Sequence, residues 1–213
     1  KTFIHNASTT SFIASSSSGA IIAPPLLTVM GNFTNDSIFT AGSGTTTLGG
    51  YATQTLSGTM TGTSAFNNLQ ITNKSGLGST SQSVRFLAAA STTDTFSMTA
   101  STSAQFLAGA TSTFQNIKFS GASGQYVSLR SSTPGTQYGF YVPGSQYSVT
   151  YVDVRDNNAC LSSISAYDGT NVDSGNNSCW SFSPGGVGWN TLTPSGTLYS
   201  DEYIEHRRNQ KIE

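Results

Sequence analysis

The chain has 213 residues and a formal net charge of −1, and only 9% of its residues are charged, against roughly 25% in an ordinary soluble domain. No basic field is present to hold nucleic acid, and no run of about twenty apolar residues is present to cross a membrane as a helix, so neither nucleic-acid binding nor membrane insertion is expected. Serine, threonine, glycine and asparagine carry the polar surface, which suits β-structure because threonine is β-branched; plentiful, regularly spaced Phe and Tyr argue against low-complexity disorder.

Residues 1–25 read as an N-terminal cap or entry segment. Phe3 and Ile4 open a strand, a serine run spans Ser15 to Ser18, and Pro24-Pro25 exclude a central strand at that point. The start, Lys1-Thr2-Phe3-Ile4-His5, lacks a signal-peptide pattern, so the chain reads as a fragment or a mature product.

From residue 26 short apolar groups alternate with turn formers, and none shows the i, i+3, i+4, i+7 spacing of an amphipathic helix. One segment recurs. Phe66-Asn67-Asn68-Leu69-Gln70-Ile71-Thr72-Asn73 returns as Phe114-Gln115-Asn116-Ile117-Lys118-Phe119-Ser120-Gly121, and more loosely as Val149-Thr150-Tyr151-Val152-Asp153-Val154-Arg155-Asp156. The last two apolar residues of each copy share a strand face. The first is out of phase with them, which requires a bend or bulge. Bend, short strand and turn, repeated, is the unit of a solenoid. Phe66 and Phe114 should then hold similar radial positions about two coils apart. Asn68 and Asn116 occupy one place in the repeat, where asparagine suits a left-handed corner or a ladder of side-chain bonds along the axis; Tyr151 would end that ladder. Phe86, Phe96 and Phe106, ten residues apart, are expected to stack on one another.

Val127 and Leu129, then Tyr138, Phe140 and Val142, mark two further strands separated by turns at Ser131–Gly135 and Pro143-Gly144. Cys160 and Cys179, the only cysteines, lie in Gly- and Asn-rich sequence. Such an isolated pair reads as a disulfide, and hence as a sign of an oxidising, extracellular or cell-surface location. Trp180 and Phe182, two apart, are placed to cover the end of a core. Residues 184–213 read as a linker and a charged tail that holds seven of the nineteen charged residues, either a solvated extension or the start of another module.

The runs Val127–Tyr138, Tyr147–Asp156 and Asp173–Trp180 resemble the closing coils of large bacterial surface or secreted repeat proteins with right-handed parallel β-helix domains, whose coils often read like Phe66–Ile71 and Gly31–Asn35. The resemblance spans about residues 27–182 and implies an architecture, with no catalytic set. The fold expected from the residues is an all-β, right-handed parallel β-helix over residues 26–183 with coils of roughly 20–30 residues; an antiparallel β-sandwich is the alternative.

Chemistry is sparse. His5 and His206 stand near opposite ends and neither lies in a triad context. Two paired cysteines supply no zinc site, and no phosphate-cradling Gly-Lys motif occurs, so no catalytic residue, metal or cofactor is expected. Up to Ser200 there is no glutamate and there are six aspartates, too few for the flanking carboxylates of a glycoside hydrolase or the acidic calcium site of a lyase. Asp153 and Asp156 alone are near one another. With Val152 and Val154 inward, Asp153 and Arg155 face outward and Asp156 sits at the turn, a set that either binds calcium or sugar or merely closes a strand. Tyr141 and Tyr151 are the candidate exposed rings for stacking on a sugar, with core and edge packing as the alternative. Thr45-Thr46-Thr47 and Thr59–Thr63 invite an ice-binding reading, but their irregular spacing speaks against a flat array. Sequons fall at Asn6, Asn32, Asn35, Asn73 and Asn176. The function expected is an extracellular structural or adhesive module of a bacterial surface protein, associating end to end and touching glycans or a cell surface. A carbohydrate-binding or polysaccharide-degrading β-helix is the alternative.

Overall fold

A computed structural model describes residues 7–9, 11–15, 19–76 and 82–182. The fold is a right-handed parallel β-helix of about seven turns. The first coil holds β1 (Ala7–Thr9), β2 (Phe12–Ala14) and β3 (Ile21–Ile22), and the second β4 (Leu26–Val29), β5 (Phe33–Asn35) and β6 (Phe39–Thr40). Then come β7 (Thr45–Leu48) with β8 (Gln54–Gly58), β9 (Asn68–Ile71) with β10 (Val84–Phe86), β11 (Ser91–Thr99) with β12 (Ser103–Phe106), and β13 (Thr111–Ser120) with β14 (Val127–Ser131). The last coils hold β15 (Tyr138–Tyr141), β16 (Gln146–Thr150), β17 (Val152–Val154), β18 (Asn157–Asn158), β19 (Ile164–Ala166), β20 (Val172–Asp173) and β21 (Trp180–Phe182). The ladder thus already includes strands upstream of residue 26. Helical structure among the described residues is one 3-10 turn, Gly62–Ser64.

Two long parallel sheets form the walls. The first runs β1-β4-β7-β9-β11-β13-β15-β18, with β16 also paired to β13; the second runs β2-β5-β8-β10-β12-β14-β17-β20. In these two walls each strand pairs with its equivalent one coil on, a step that ranges from 19 residues (Leu27 to Thr46) to 30 (Leu56 to Phe86); outside them β3 pairs with β6 and β19 with β21 at shorter steps. The antiparallel sandwich is thereby excluded.

The core lies between the walls and is built of vertical columns. Val29, Leu48, Ile71, Met98, Phe119 and Val149 stand above one another in the first sheet. Phe12, Phe33, Leu56, Phe86 and Phe106 do so in the second. Phe12 and Phe33 stack at 4.6 Å, as do Phe86 and Phe106, and Phe106 stacks on Tyr138 at 5.0 Å. Stacked and edge-on rings of this kind add to the area they bury and hold coils in register. Phe66 pairs with Thr92 and Thr92 with Phe114, so the two phenylalanines share a radial position two coils apart, as the repeat implies. Within the copy on β13 the alternation breaks as the repeat requires, Phe114 and Ile117 both being buried three residues apart, and the neighbouring β11, which is not a copy, carries an extra residue where the register slips between Thr92 and Thr95.

Three expectations need correction. Phe96 does not join the Phe86–Phe106 stack; it belongs to the first sheet and meets both rings edge-on at 6.2 and 6.3 Å. Ten residues are half a coil, so the chain has crossed to the other wall. The third repeat copy is displaced: Val149 pairs with Phe119, not with Phe114, and Val152 and Val154 lie in the second sheet opposite Val127 and Leu129. Asn68 and Asn116 are not left-handed. Their side-chain oxygens instead accept the backbone N–H of Thr95 and of Ser145 on the next coil, at 3.1 and 2.8 Å. Tyr151 is unrelated to them and turns the corner into β17 with φ 49°.

One glycine is indispensable at its position. Gly58 has φ +83° and passes so close to Asn35 that a Cβ would lie 2.1 Å from the Asn35 carbonyl oxygen. Any side chain there clashes with backbone and is strained as well.

Cys160 and Cys179 are bonded, tying the entry of the last coil to the residue before β21. Trp180 is buried there, donates from Nε1 to Asn157 Oδ1 and stacks on Phe182 at 5.9 Å. His5, His206 and residues 184–213 lie outside the described residues.

Candidate functional site

The outward face of the first sheet is assembled from residues far apart in the chain. In-register pairing places Thr28, Thr47, Gln70, Ser97, Lys118 and Ser148 in one column. Thr45 is followed on the next coil by Asn68, and Thr95 is paired with Asn116, in a flanking column. Thr99, Ser120 and Thr150 form a third. Strands about 4.8 Å apart and alternate residues spaced by about 6.7 Å make this a carpet of hydroxyls and amides. The sequence produces it simply: Thr28, Thr47, Gln70, Ser97 and Lys118 stand between the inward residues of β4, β7, β9, β11 and β13, whereas Gly139 and Tyr141 take that place along β15.

The carpet is held partly by its own bonds. Asn116 Nδ2 and Thr95 Oγ1 both donate to Asp94 Oδ1, which sits in the bulge. Ser120 Oγ donates to Ser148 Oγ at 3.3 Å, and Thr47 Oγ1 approaches Gln70 Oε1 only to 3.5 Å. A groove of about 420 Å3 crosses the face, lined by Thr45, Asn68, Gln70, Thr95, Ser97 and Lys118 among others.

The residues singled out from sequence lie elsewhere. Val152 and Val154 do face inward, fully buried. Asp153 is ion-paired with Arg130 at 2.5 Å and accepts from Ser174 Oγ at 2.6 Å. Asp156 is 2% exposed, sits at φ 61° and accepts from Asn176 Nδ2 at 2.7 Å; Arg155 Nε is 3.5 Å from its other oxygen. Asp153 and Asp156 are therefore close in the chain but held by different partners. Tyr141 is half-buried on the first sheet, opposite Thr113. Tyr151 is half-buried at the corner, its ring edge-on to Tyr126 at 6.0 Å. Tyr141 stands on the first wall and Asp153 on the second, so the five do not share one face. Arg130, invisible as a site residue in the sequence, is the cation that organises this end, and it also donates to the Leu129 and Asp153 carbonyls.

Tyr138 is fully buried beside this cluster, and its hydroxyl makes no hydrogen bond of good geometry, the nearby Asn157 side chain only weakly favouring the ionised phenol. Burial pushes its phenol far above the ordinary value of 10.0; the Arg130 charge opposes that shift and Asp156 adds to it. Among the described residues no group of three or more His, Cys, Asp or Glu side chains is placed to hold a metal ion, and no helix is long and apolar enough to cross a membrane. Of the sequons, Asn35 and Asn73 are buried inside the folded coils, where no glycan fits, while Asn32 and Asn176 are exposed.

No family model, no curated protein and no solved structure matches this chain.

Proposed function

We propose that this chain is a structural and adhesive module of a bacterial surface protein, working outside the cell as a stiff rod that binds and spaces rather than as an enzyme. The observation that carries this reading is the unbroken parallel ladder: two walls of coils share one aromatic core, and a disulfide fastens the coil nearest the C-terminal end. Coils about 4.8 Å apart over about seven turns make a rod of roughly 35 Å. A bond that persists only under oxidising conditions suits an extracellular setting. The engagement of Asp153 by Arg130 and of Asp156 by Asn176 leaves neither carboxylate poised across a cleft from the other, which speaks for binding over turnover. Exposed backbone at the terminal coils of a solenoid recruits further strands, so head-to-tail association is part of the proposal.

Secreted protein imaged by negative stain and mapped by non-reducing mass spectrometry tests it. Rods, single or joined end to end, with the Cys160–Cys179 bond intact are expected. Free thiols in secreted material, or depolymerisation of a polysaccharide that is abolished by Asp153→Asn or Asp156→Asn, would overturn it.

A further inference from the structure

We infer that the groove on the outward face of the first sheet binds a neutral, hydroxyl-rich polysaccharide. This gives a ligand class to the adhesive half of the reading above and rests on it for the extracellular setting.

The two walls differ outside as much as they agree inside. The second sheet exposes Arg85 and, just beyond β17, Arg155, together with Ile13 and Leu87, while Arg130 beside them is buried in its ion pair with Asp153. The first sheet turns out hydroxyls and amides, with Lys118 as the one charge in its central columns. A face with almost no charge gives a polyanion little to hold, because retention of a polyanion needs clustered cations. Among the described residues its exposed large apolar side chains are Leu26 on β4 and Tyr147 on β16, with four strands between them, so they do not form the contiguous patch that a protein partner would cover. What it offers is hydrogen-bonding capacity. Among the described residues Thr45 Oγ1, Thr99 Oγ1, Gln70 Nε2 and Lys118 Nζ make no bond within the protein, and all four line the groove. Its volume, about 420 Å3, is within the range of small-ligand clefts.

The occupant is narrowed by a second feature, a bulge at the far end of the central column. Ile117 pairs with Gln146 and Lys118 with Ser148, so Tyr147 is the extra residue between them. Bulges re-aim side chains, and Tyr147 is 62% exposed. A ring standing free beside rows of hydroxyls and amides is the combination that a sugar chain uses: its apolar ring faces pack on the aromatic while its hydroxyls exchange bonds with the carpet. Ordered water would be served by hydroxyls alone and by an unbroken flat array. Here Asn68, Gln70, Asn116 and Lys118 interrupt the hydroxyl rows and Tyr147 stands beside them, so the glycan is favoured.

Affinity electrophoresis in native gels provides the test, with glucomannan, hydroxyethyl cellulose and a soluble β-1,3-glucan as neutral polymers and polygalacturonate as the anionic one. Retardation by at least one neutral polymer, unchanged at raised salt, is expected. Gln70→Ala combined with Ser97→Ala should weaken it at least tenfold, as should Tyr147→Ala, while Thr55→Ala on the second sheet leaves it unchanged. Circular dichroism and melting temperature confirm that each variant is folded. Retardation in polygalacturonate alone, lost at raised salt, would overturn the inference. So would no retardation in any gel, ice-crystal shaping without glycan retention, or retention indifferent to the Gln70, Ser97 and Tyr147 substitutions while Thr55→Ala abolishes it. A protein that fails to bind but remains a secreted, disulfide-bonded rod defeats the glycan site and leaves the module reading standing.

Discussion

Asn73 and Tyr138 are buried polar side chains with opposite fates. The Asn73 amide donates to the Ala52 carbonyl at 2.8 Å, to Gln54 Oε1 at 2.9 Å and to the Ser83 carbonyl at 3.2 Å, and its oxygen accepts from the Ser75 N–H. Gln54 in turn donates to Val29 and Gly31 and accepts from Gly50, so one network links three coils. Asn73→Ala would strand several buried acceptors, and chemical denaturation should report a loss of about 3 kcal/mol. The Tyr138 hydroxyl makes no hydrogen bond of good geometry. Tyr138→Phe should therefore leave stability unchanged or raise it by up to ~1 kcal/mol. It should also alter the alkaline limb. Burial raises the folded-state value above 10.0, so above pH 10 the unfolded chain releases a proton that the folded chain keeps. The contribution of this group is constant below that pH and falls as pH rises through and beyond it. Denaturation midpoints measured from pH 8 to 11 should fall less steeply in Tyr138→Phe than in the parent.

At the scale of the element, the repeat was legible wherever one strand followed its bend without interruption. Phe66 and Phe114 could be matched because each is followed by the same out-of-phase apolar pair, and the break in phase this demands exists between buried Phe114 and Ile117 in β13. The Val149 copy misled for a local reason: the bulge at Tyr147 and the left-handed corner at Tyr151 shift the phase, moving Val152 to the other wall. The ten-residue spacing of Phe86, Phe96 and Phe106 misled because a coil here takes about twenty. A double-mutant cycle separates the two geometries. Phe86→Leu with Phe106→Leu should couple by about 1 kcal/mol, since the ring centroids are 4.6 Å apart, and Phe86→Leu with Phe96→Leu by less, since theirs are 6.2 Å apart and share less contact. The disulfide acts on the last coil. Its 19-residue separation corresponds to about 3 kcal/mol in the chain-entropy model, and the Cys160→Ser, Cys179→Ser variant should lose that much in denaturant titration.

On the scale of the whole molecule, the fold was readable and the polar face was not. Inward residues announce themselves by alternation within a strand, a signal two residues long. The carpet depends on what lies above what, and coil lengths between 19 and 30 residues hide that in the chain. Thr47, Gln70, Ser97 and Lys118 follow one another at unequal intervals yet stand in one column. For the same reason the threonine rows looked irregular in sequence. Arg130 was overlooked because its partner Asp153 lies a coil away. The proposed stiff rod and the proposed glycan face both depend on that vertical register. Methyl–methyl nuclear Overhauser contacts in selectively labelled protein measure it directly. They should link Val29 to Leu48, Leu48 to Ile71 and Ile71 to Met98 in that order, with none between Val29 and Met98. Contacts that skip this order, such as Val29 to Met98 without Leu48 to Ile71, would contradict the stacked coils and everything built on them.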